Sequence, residues 1–200
     1  MNGMTPRLIL ASTSRYRADL LGRLALPFDT AAPGVDESPR NGEAPPARAL
    51  RLAHAKAAAV AARHPEAWVI GSDQVAALGG EILEKPGDAA RCRAQLASES
   101  GQSVEFHTAV VLHRATPNWL AEHVDRTIVR FRVLTEREIA RYVELDRPFD
   151  CAGGFRSEGL GAALFASMET ADPAALVGLP VIWLAGALRA AGFDALTGRS

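Results

Sequence analysis

The chain lacks several features that would place it in a specialised class of protein. Its 200 residues contain no apolar run of the roughly 18 residues that a membrane-spanning helix needs. It has only two cysteines, Cys92 and Cys151, far apart and without partners at the spacing of a zinc site. We therefore expect two free thiols in a reducing compartment. Residues Met1 to Arg7 carry no hydrophobic core of a signal peptide, so the expected location is cytoplasmic.

Net charge is also nearly absent, with 22 basic against 23 acidic residues and a formal charge of −1. Neither nucleic acid nor a membrane surface is therefore an expected partner, and any phosphate recognition must come from a local cluster of charges. The hydrophobic fraction of 48% is typical of one globular domain, here residues 1–200, that buries a sizeable core without disulfides.

Predicted strands and helices alternate along the chain. Short apolar or β-rich runs indicate strands at 8–11, 67–70, 104–113 and 127–133, the last two as neighbours across a turn at 116–118. Helical spacing and capping signals predict helices at 15–26, 47–63, 88–98, 135–144 and 179–191. A proline-rich loop is expected at 31–48, and the glycine-rich segment 151–161 should be irregular or closely packed. This order favours an α/β fold with some antiparallel pairing.

The tetrapeptide Gly71-Ser72-Asp73-Gln74 follows the second predicted strand. An acidic residue just past the C-terminal end of a buried strand would stand at the mouth of an α/β sheet, where ligands usually bind. Gly71 and Ser72 have little bulk, so a substrate could approach the backbone there. The alternative is that Asp73 only stabilises a turn, since aspartate after Gly-Ser is common in turns.

Several other side chains could bind an anion or a metal ion. Ser12-Thr13-Ser14 opens a helix with free backbone N–H groups and a positive dipole end, an arrangement that favours a nearby anion. Lys56 lies in the apolar stripe of its helix, either snorkelling past that surface or held for a ligand. Two carboxylates at 36 and 37 could join Asp73 around a hard cation such as Mg²⁺, or simply pair with arginines. Lys85 precedes Pro86-Gly87 and is expected in a turn, where a solvated charge is the simpler interpretation and an anion contact the alternative.

Taken together, a series of motifs resembles the Maf family of nucleoside triphosphate pyrophosphatases. The resemblance covers about residues 7 to 190 and is specific because the motifs fall in the family's order and approximate spacing. They are Leu8-Ile9-Leu10-Ala11-Ser12-Thr13-Ser14 with Arg17, Val35-Asp36-Glu37, Ala55-Lys56-Ala57, Gly71-Ser72-Asp73, Lys85-Pro86, Phe155-Arg156-Ser157-Glu158-Gly159 and Leu176-Val177-Gly178-Leu179-Pro180.

The resemblance implies a twisted mixed sheet with flanking helices and a cleft between two lobes. It implies hydrolysis of a nucleoside triphosphate to the monophosphate and pyrophosphate, helped by Mg²⁺ or Mn²⁺, and allows a homodimer. Asp73 would be the catalytic residue, as base or metal ligand, with Glu37 and Asp73 at the metal. The substrate would contact Ser12, Tyr16, Arg17, Lys56, Gln74, Lys85, Arg156 and Glu158.

Three of these positions, Tyr16, Gln74 and Glu158, resemble the subgroup that acts on 7-methyl-GTP. An aromatic face attracts the positively charged base, and a carboxylate accepts from the guanine N1–H and amino group. Tyr16 stands where that subgroup tends to have tryptophan, Arg156 replaces the motif lysine, and Ala18 replaces a second arginine. Tyr16 could instead be a helix-packing aromatic. Other possible functions are hydrolysis of dTTP- or UTP-type nucleotides and nucleotide sensing in septum formation during cell division.

Overall fold

The structure is a computed structural model that describes residues 7–197. The expectation about a signal peptide concerns residues that lie almost entirely outside this range. The described residues form a mixed α/β fold, as predicted. Its strands are β1 (Leu8–Leu10), β2 (Asp29–Thr30), β3 (Trp68–Leu78), β4 (Glu81–Leu83), β5 (Ser103–Arg114), β6 (Trp119–Phe131) and β7 (Phe165–Glu169). Its helices are α1 (Arg15–Gly22), α2 (Pro45–Ala61), α3 (Ala89–Glu99), α4 (Glu136–Asp146), α5 (Pro173–Val177) and α6 (Val181–Ala190).

All seven strands join one mixed sheet in the order β2-β1-β3-β5-β6-β7, with β4 paired to β3. The β1–β2 and β1–β3 pairs are parallel, whereas β3–β4, β3–β5, β5–β6 and β6–β7 are antiparallel. β1 pairs with residues 68–70 of β3, and β4 pairs with residues 76–78. Since β5 pairs with the other edge of β3, no strand within residues 7–197 pairs with residues 71–75 on the side where β1 ends and β4 begins.

Three apolar clusters build two lobes on the long central strands. On one face of the sheet, α2 packs its alanines and Val60 against β1, β3 and β5. On the opposite face, leucines of α1 and α6 cover the end of the sheet near β1. Further along the strands, α3 and α4 cover the other end together with Phe155. The lobes meet along β3, at the stretch that no edge strand covers.

The second predicted strand is much longer than expected. It continues from Trp68 through Asp73 to Leu78, so the prediction that Asp73 follows a strand end is wrong. The physical reason is tertiary, because β5 pairs with β3 residue by residue from Val69 to Leu78 and holds the polar stretch extended. Asp73 nevertheless lies at an opening of the sheet, the gap between β1 and β4.

Other boundaries differ for local reasons. The proline-rich loop ends earlier than predicted because α2 begins at Pro45, whose fixed φ suits the first turn of a helix. α1 ends at Gly22, and β6 begins at Trp119 instead of 127. The capping box at Thr135 and Glu138 is confirmed. Two short 3₁₀ helices, Ala152–Gly154 and Leu160–Leu164, confirm an irregular glycine-rich segment.

Cys92 and Cys151 are both free thiols, as expected. In the part of the chain that the structure describes, no helix is long and apolar enough to cross a membrane.

Candidate active site

A cleft of about 920 Å³ opens beside the uncovered stretch of β3. Side chains of α1, α2, β3, the loop after β4 and the glycine-rich segment line it together. The structure thus brings ten of the residues proposed from the sequence to one cleft: Ser12, Tyr16, Arg17, Glu37, Lys56, Asp73, Gln74, Lys85, Arg156 and Glu158. Asp36, the other carboxylate considered for a metal ion, does not line the cleft and accepts hydrogen bonds from Ser38 instead.

The centre of the cleft is an ion-paired triad of side chains. Lys56 Nζ lies 2.6 Å from Asp73 Oδ1 and 2.9 Å from Glu37 Oε1. Lys56 and Asp73 are only 6% and 7% exposed, whereas Glu37 is more open to solvent. Lys56 is therefore held by carboxylates and does not snorkel to the surface. Among the described residues, none donates a hydrogen bond to Asp73 Oδ2.

Gly71 explains how α2 comes close enough for this triad to form. A Cβ at Gly71 would collide with the Ala53 carbonyl oxygen and lie 2.7 Å from the Ala57 backbone nitrogen. The missing side chain therefore admits the α2 backbone, not a substrate as the sequence suggested. The close contact places Lys56 over Asp73, two residues further along β3.

The pKa shifts of Glu37 and Arg17 show which other cations act on the carboxylates of the triad. Burial raises the pKa of the Glu37 carboxyl, but the hydrogen bond from Lys56 and the charges of Lys56, Lys85 and Arg17 outweigh it and lower the pKa. Burial lowers the pKa of Arg17, while Asp73 and Glu37 oppose that shift. Lys85 and Arg17 thus both act on the Glu37 carboxylate, and Arg17 also interacts with Asp73.

The turn between β1 and α1 supplies polar groups at the rim. Ser12 Oγ accepts from the Ser14 backbone N–H at 3.1 Å, and Ser14 caps α1 by accepting from Arg17 N at 3.4 Å. Arg17 Nε donates to the Gly178 carbonyl at 2.9 Å, tying α1 to the segment after α5. The buried Ser72 hydroxyl lies 2.8 Å from the Ala109 carbonyl and 3.0 Å from the Gly178 carbonyl, so its single proton is shared between these two acceptors. Ser72 is thus a structural link, which the sequence did not reveal.

Gln74 also holds the chain around α5. Its Nε2 lies 2.9 Å from the Ala175 carbonyl, 3.0 Å from the Leu176 carbonyl and 3.0 Å from Thr108 Oγ1. Thr108 Oγ1 in turn donates to the Ala175 carbonyl. Since these acceptors occupy the amide nitrogen, the amide oxygen is the group that Gln74 can offer to a ligand.

The glycine-rich segment is anchored by α4 where it carries Arg156. The Arg156 backbone N–H donates to the Tyr142 hydroxyl at 3.1 Å, and that hydroxyl donates to Asp146 Oδ2 at 2.7 Å. Gly159 and Gly161 donate back to the Arg156 carbonyl, which closes the turn that presents Glu158. Glu158 itself is exposed and accepts from Ser157 Oγ at 3.2 Å.

Tyr16 borders the same side of the cleft as Arg156. Burial raises its pKa, and the neighbouring Arg156 opposes the shift. The guanidinium carbon of Arg15 lies 5.4 Å from the Tyr16 ring centroid, a cation–π distance. The ring face is therefore already used by a cation, and a charged base would replace Arg15 or take the other face.

Comparison with known proteins identifies the family. The model of the Maf family, described as Maf-like protein, matches residues 7–191. The chain belongs to the Maf family. Proteins named 7-methyl-GTP pyrophosphatase match it from Xanthomonas oryzae (57% identity, 95% of this chain and 98% of that protein) and Xanthomonas axonopodis (58%, 94% and 98%). The Bordetella pertussis protein of the same name is 50% identical over 99% of this chain and 98% of its own.

One solved structure, the Ham1 protein of Staphylococcus aureus, gives a TM-score of 0.48 at 11% identity, covering 78% of this chain and 89% of that one. This likeness is too weak to bear on function.

The Maf cleft contains one ion pair that sequence reasoning missed. Arg48 of α2 donates to both carboxylate oxygens of Glu84, at 2.6 and 3.3 Å. Glu84 directly precedes Lys85, so the pair ties the loop that carries Lys85 to α2. Helical spacing in the sequence could have placed Arg48 on the cleft side of α2, because it lies four residues before Leu52 and eight before Lys56 on one helical face.

The carboxylates of this Maf protein suit a hard divalent cation. Mg²⁺ usually binds one or two carboxylates and completes its shell with waters and phosphate oxygens. Glu37 and Asp73, both within 2.9 Å of one Lys56 ammonium, offer two such carboxylates at the same point. Among the described residues, no group of three or more histidine, cysteine, aspartate or glutamate side chains forms a metal cage. The donor set therefore fits a cation that is shared with a phosphate ligand.

Proposed function

We propose that this Maf protein hydrolyses 7-methyl-GTP to 7-methyl-GMP and diphosphate. The observation that carries the proposal is the Lys56 ammonium held between Asp73 and Glu37 in a cleft that also contains Arg17, Lys85 and Arg156. Relatives of 50–58% identity over nearly the whole chain, named for this reaction, supply the identity of the nucleotide. No observation favours septum regulation or a preference for dTTP or UTP.

The cations of the cleft offset the charge of the triphosphate. Arg17, Lys56, Lys85 and Arg156 all line the cleft, so four cations can face a triphosphate in a chain whose net charge is only −1. Such fixed charges stabilise the charge that develops on the phosphate oxygens as the bond breaks. Arg156 keeps the charge of the motif lysine but presents a planar fork to phosphate oxygens.

Asp73 is the residue assigned to the attacking water. Cleavage between the α and β phosphates needs a water in line with the leaving diphosphate. Because Lys56 binds Oδ1, the second oxygen of Asp73 is the one assigned to orient that water and accept its proton. Lys56 would keep the carboxylate oriented while the proton moves.

We assign the divalent cation to Glu37 and Asp73. Bound there, such a cation would polarise the phosphate oxygens as a Lewis acid. Activity should therefore disappear when the protein is dialysed against a chelator and return with Mg²⁺ or Mn²⁺. Full activity after exhaustive chelation would remove the cation from the proposal.

Tyr16, Gln74 and Glu158 are assigned to the base. The Tyr16 ring already attracts the Arg15 guanidinium, so its face is suited to the cationic 7-methylguanine. Exposed Glu158 and the amide oxygen of Gln74, whose nitrogen is already hydrogen-bonded, are acceptors that suit the N1–H and amino group of guanine.

The test is diphosphate release from a panel of 7-methyl-GTP, GTP, dTTP and UTP. We expect the highest kcat/KM for 7-methyl-GTP. A preference for dTTP or UTP would overturn the substrate assignment but leave pyrophosphatase chemistry in place. No diphosphate from any nucleotide would overturn the reaction itself.

A further inference from the structure

A second groove, of about 780 Å³, runs between α3 and α4 and shares no lining residue with the cleft. Its floor is apolar, formed by Ala89, Ala140, Val143 and Phe149. The charged residues that line it are mostly positive, with four guanidiniums and one carboxylate: Arg93, Arg137, Arg141 and Arg147, and Glu144.

Most of these guanidiniums have no acidic partner. Glu144 accepts from Arg141 at 2.9 Å. Within residues 7–197, Arg93, Arg137 and Arg147 form no ion pair, whereas Arg126, Arg130 and Arg132 nearby in sequence each do. Arg137 and Arg141 are also four residues apart on α4, where like charges repel one another. An anion in the groove would relieve this repulsion.

Arg147 contributes to the groove from an unusual backbone conformation. It ends α4 in the left-handed region, with φ 47° and ψ 55°, where glycine or asparagine is usual. Its guanidinium carbon lies 5.8 Å from the centroid of the Phe149 ring on the groove floor. A strained position that holds a charged side chain over a groove is a pointer to function.

Two hydrogen bonds connect the groove to the cleft. The Arg147 carbonyl accepts from Arg156 Nη2 at 3.0 Å, and the Phe149 carbonyl accepts from the Gly87 backbone N–H at 2.9 Å. Arg156 lines the cleft, and Gly87 lies two residues after Lys85. The segment 147–149 at the end of the groove is therefore one hydrogen bond from each of two segments that carry a cleft cation.

We propose that the groove is a second anion site, one that binds a small polyphosphate such as inorganic pyrophosphate. Guanidiniums recognise phosphate oxygens in a bidentate manner. Arg137 and Arg141 lie four residues apart, about 6 Å along α4, so the two phosphates of pyrophosphate can contact both guanidiniums, which a single phosphate can do less fully. The identification of this anion as the enzyme's own product rests on the proposed function. The binding of pyrophosphate in the groove does not depend on that function.

The test compares amide chemical shifts during titration with inorganic pyrophosphate, without divalent metal. Three proteins are needed: the wild type, the double variant Arg137→Ala with Arg141→Ala, and a control, Arg126→Ala with Arg130→Ala. The control removes the same charge from β6, away from the groove. Amides of Ala140, Val143 and Phe149 report the groove, and those of Ser12 and Gly178 report the cleft.

We expect the groove amides of the wild type and the control to shift with pyrophosphate, more weakly as salt rises. In the groove variant, the same amides should respond with affinity lower by roughly tenfold or more, as the loss of two charged contacts would give. Arg147→Gly, which suits the left-handed backbone, should weaken the groove response without unfolding the protein.

The proposal is overturned if groove amides do not shift in the wild type. It is equally overturned if the groove variant binds as well as the wild type, or if the control loses as much affinity. Nucleotide hydrolysis by the groove variant is measured separately and should stay at the wild-type level without added pyrophosphate, so failure of the groove and failure of the proposed reaction are told apart.

Discussion

Lys56 of α2 and Asp73 of β3 form a buried ion pair, with Nζ and Oδ1 2.6 Å apart. The pair exists because Gly71 lets the α2 backbone rest directly on β3. Helix packing and the chemistry of the cleft therefore depend on the same contact, and a change in the packing should be visible in activity.

Replacing Gly71 by alanine should damage both folding and activity. The added methyl group meets backbone atoms of Ala53 and Ala57, which cannot move aside without shifting α2. We expect a loss of stability of about 1–3 kcal/mol, typical of overpacking, and a fall in kcat as Lys56 moves from Asp73. Denaturant unfolding and diphosphate release measure the two effects.

The matched control for that change is Gly186→Ala in α6, where an added Cβ meets nothing within 4 Å. Alanine is the better helix former, so this variant should be neutral or slightly more stable. Equal behaviour of the two variants would contradict the role given to Gly71.

Asp73→Asn should remove turnover and leave the fold intact. The amide keeps the shape of the side chain but cannot accept the proton of the attacking water. We expect kcat to fall by at least about 10²-fold, the usual range for a general base. Asp36→Asn is the control, because the Asp36 carboxylate is used by Ser38, at 2.6 and 2.9 Å, and does not line the cleft. Near-normal turnover by a folded Asp73→Asn protein would contradict the assignment of Asp73 to the attacking water.

Glu158→Gln should reduce the preference for 7-methylguanine more than it reduces catalysis in general. The change discards the charge and offers a donor where an acceptor is needed. We expect kcat/KM for 7-methyl-GTP to fall by about 10- to 150-fold, the value of a charged hydrogen bond, and that for UTP to change little. If all nucleotides lose equally, Glu158 acts on the phosphates or the metal instead.

Tyr142→Phe tests whether α4 positions the glycine-rich segment. Phenylalanine keeps the buried ring but removes the hydroxyl that joins Arg156 N to Asp146. Of the two bonds lost, the one to Arg156 N positions the segment and is worth about 1 kcal/mol, so we expect KM to rise roughly fivefold with a smaller change in kcat. A variant with wild-type KM would show that the segment keeps its place without this link.

Glu99 should make stability depend on pH. It is fully buried at the end of α3, one carboxylate oxygen has no hydrogen-bond partner within the described chain, and burial raises its pKa to about 8. The folded protein therefore binds a proton there that the unfolded chain releases, so this carboxyl lowers stability as pH rises from about 4.5 to about 8. Glu99→Gln should be close to neutral at pH 5 and stabilising at pH 9, as measured by urea unfolding. Glu136→Gln, at the exposed start of α4, is the control.

Much of the protein could be predicted from its sequence, because local rules govern the features concerned. Ser14, Thr135 and Asp88 begin helices by capping, and apolar spacing revealed the helices whose faces build the core. The ten candidate residues were identified from motifs, and the structure places them all in one cleft. Their roles remain proposals.

Only the tertiary structure decided how those residues meet. Pairing with β5 keeps β3 extended past Asp73. The close contact at Gly71 places Lys56 between Glu37 and Asp73, two carboxylates that lie 36 residues apart in sequence. The links from Tyr142 to Arg156 and from Arg48 to Glu84 also join distant segments. The sequence determined which side chains can bind phosphate and metal, since that is a matter of chemical type. Distances between elements depend instead on backbone packing across the sheet, which no local pattern encodes.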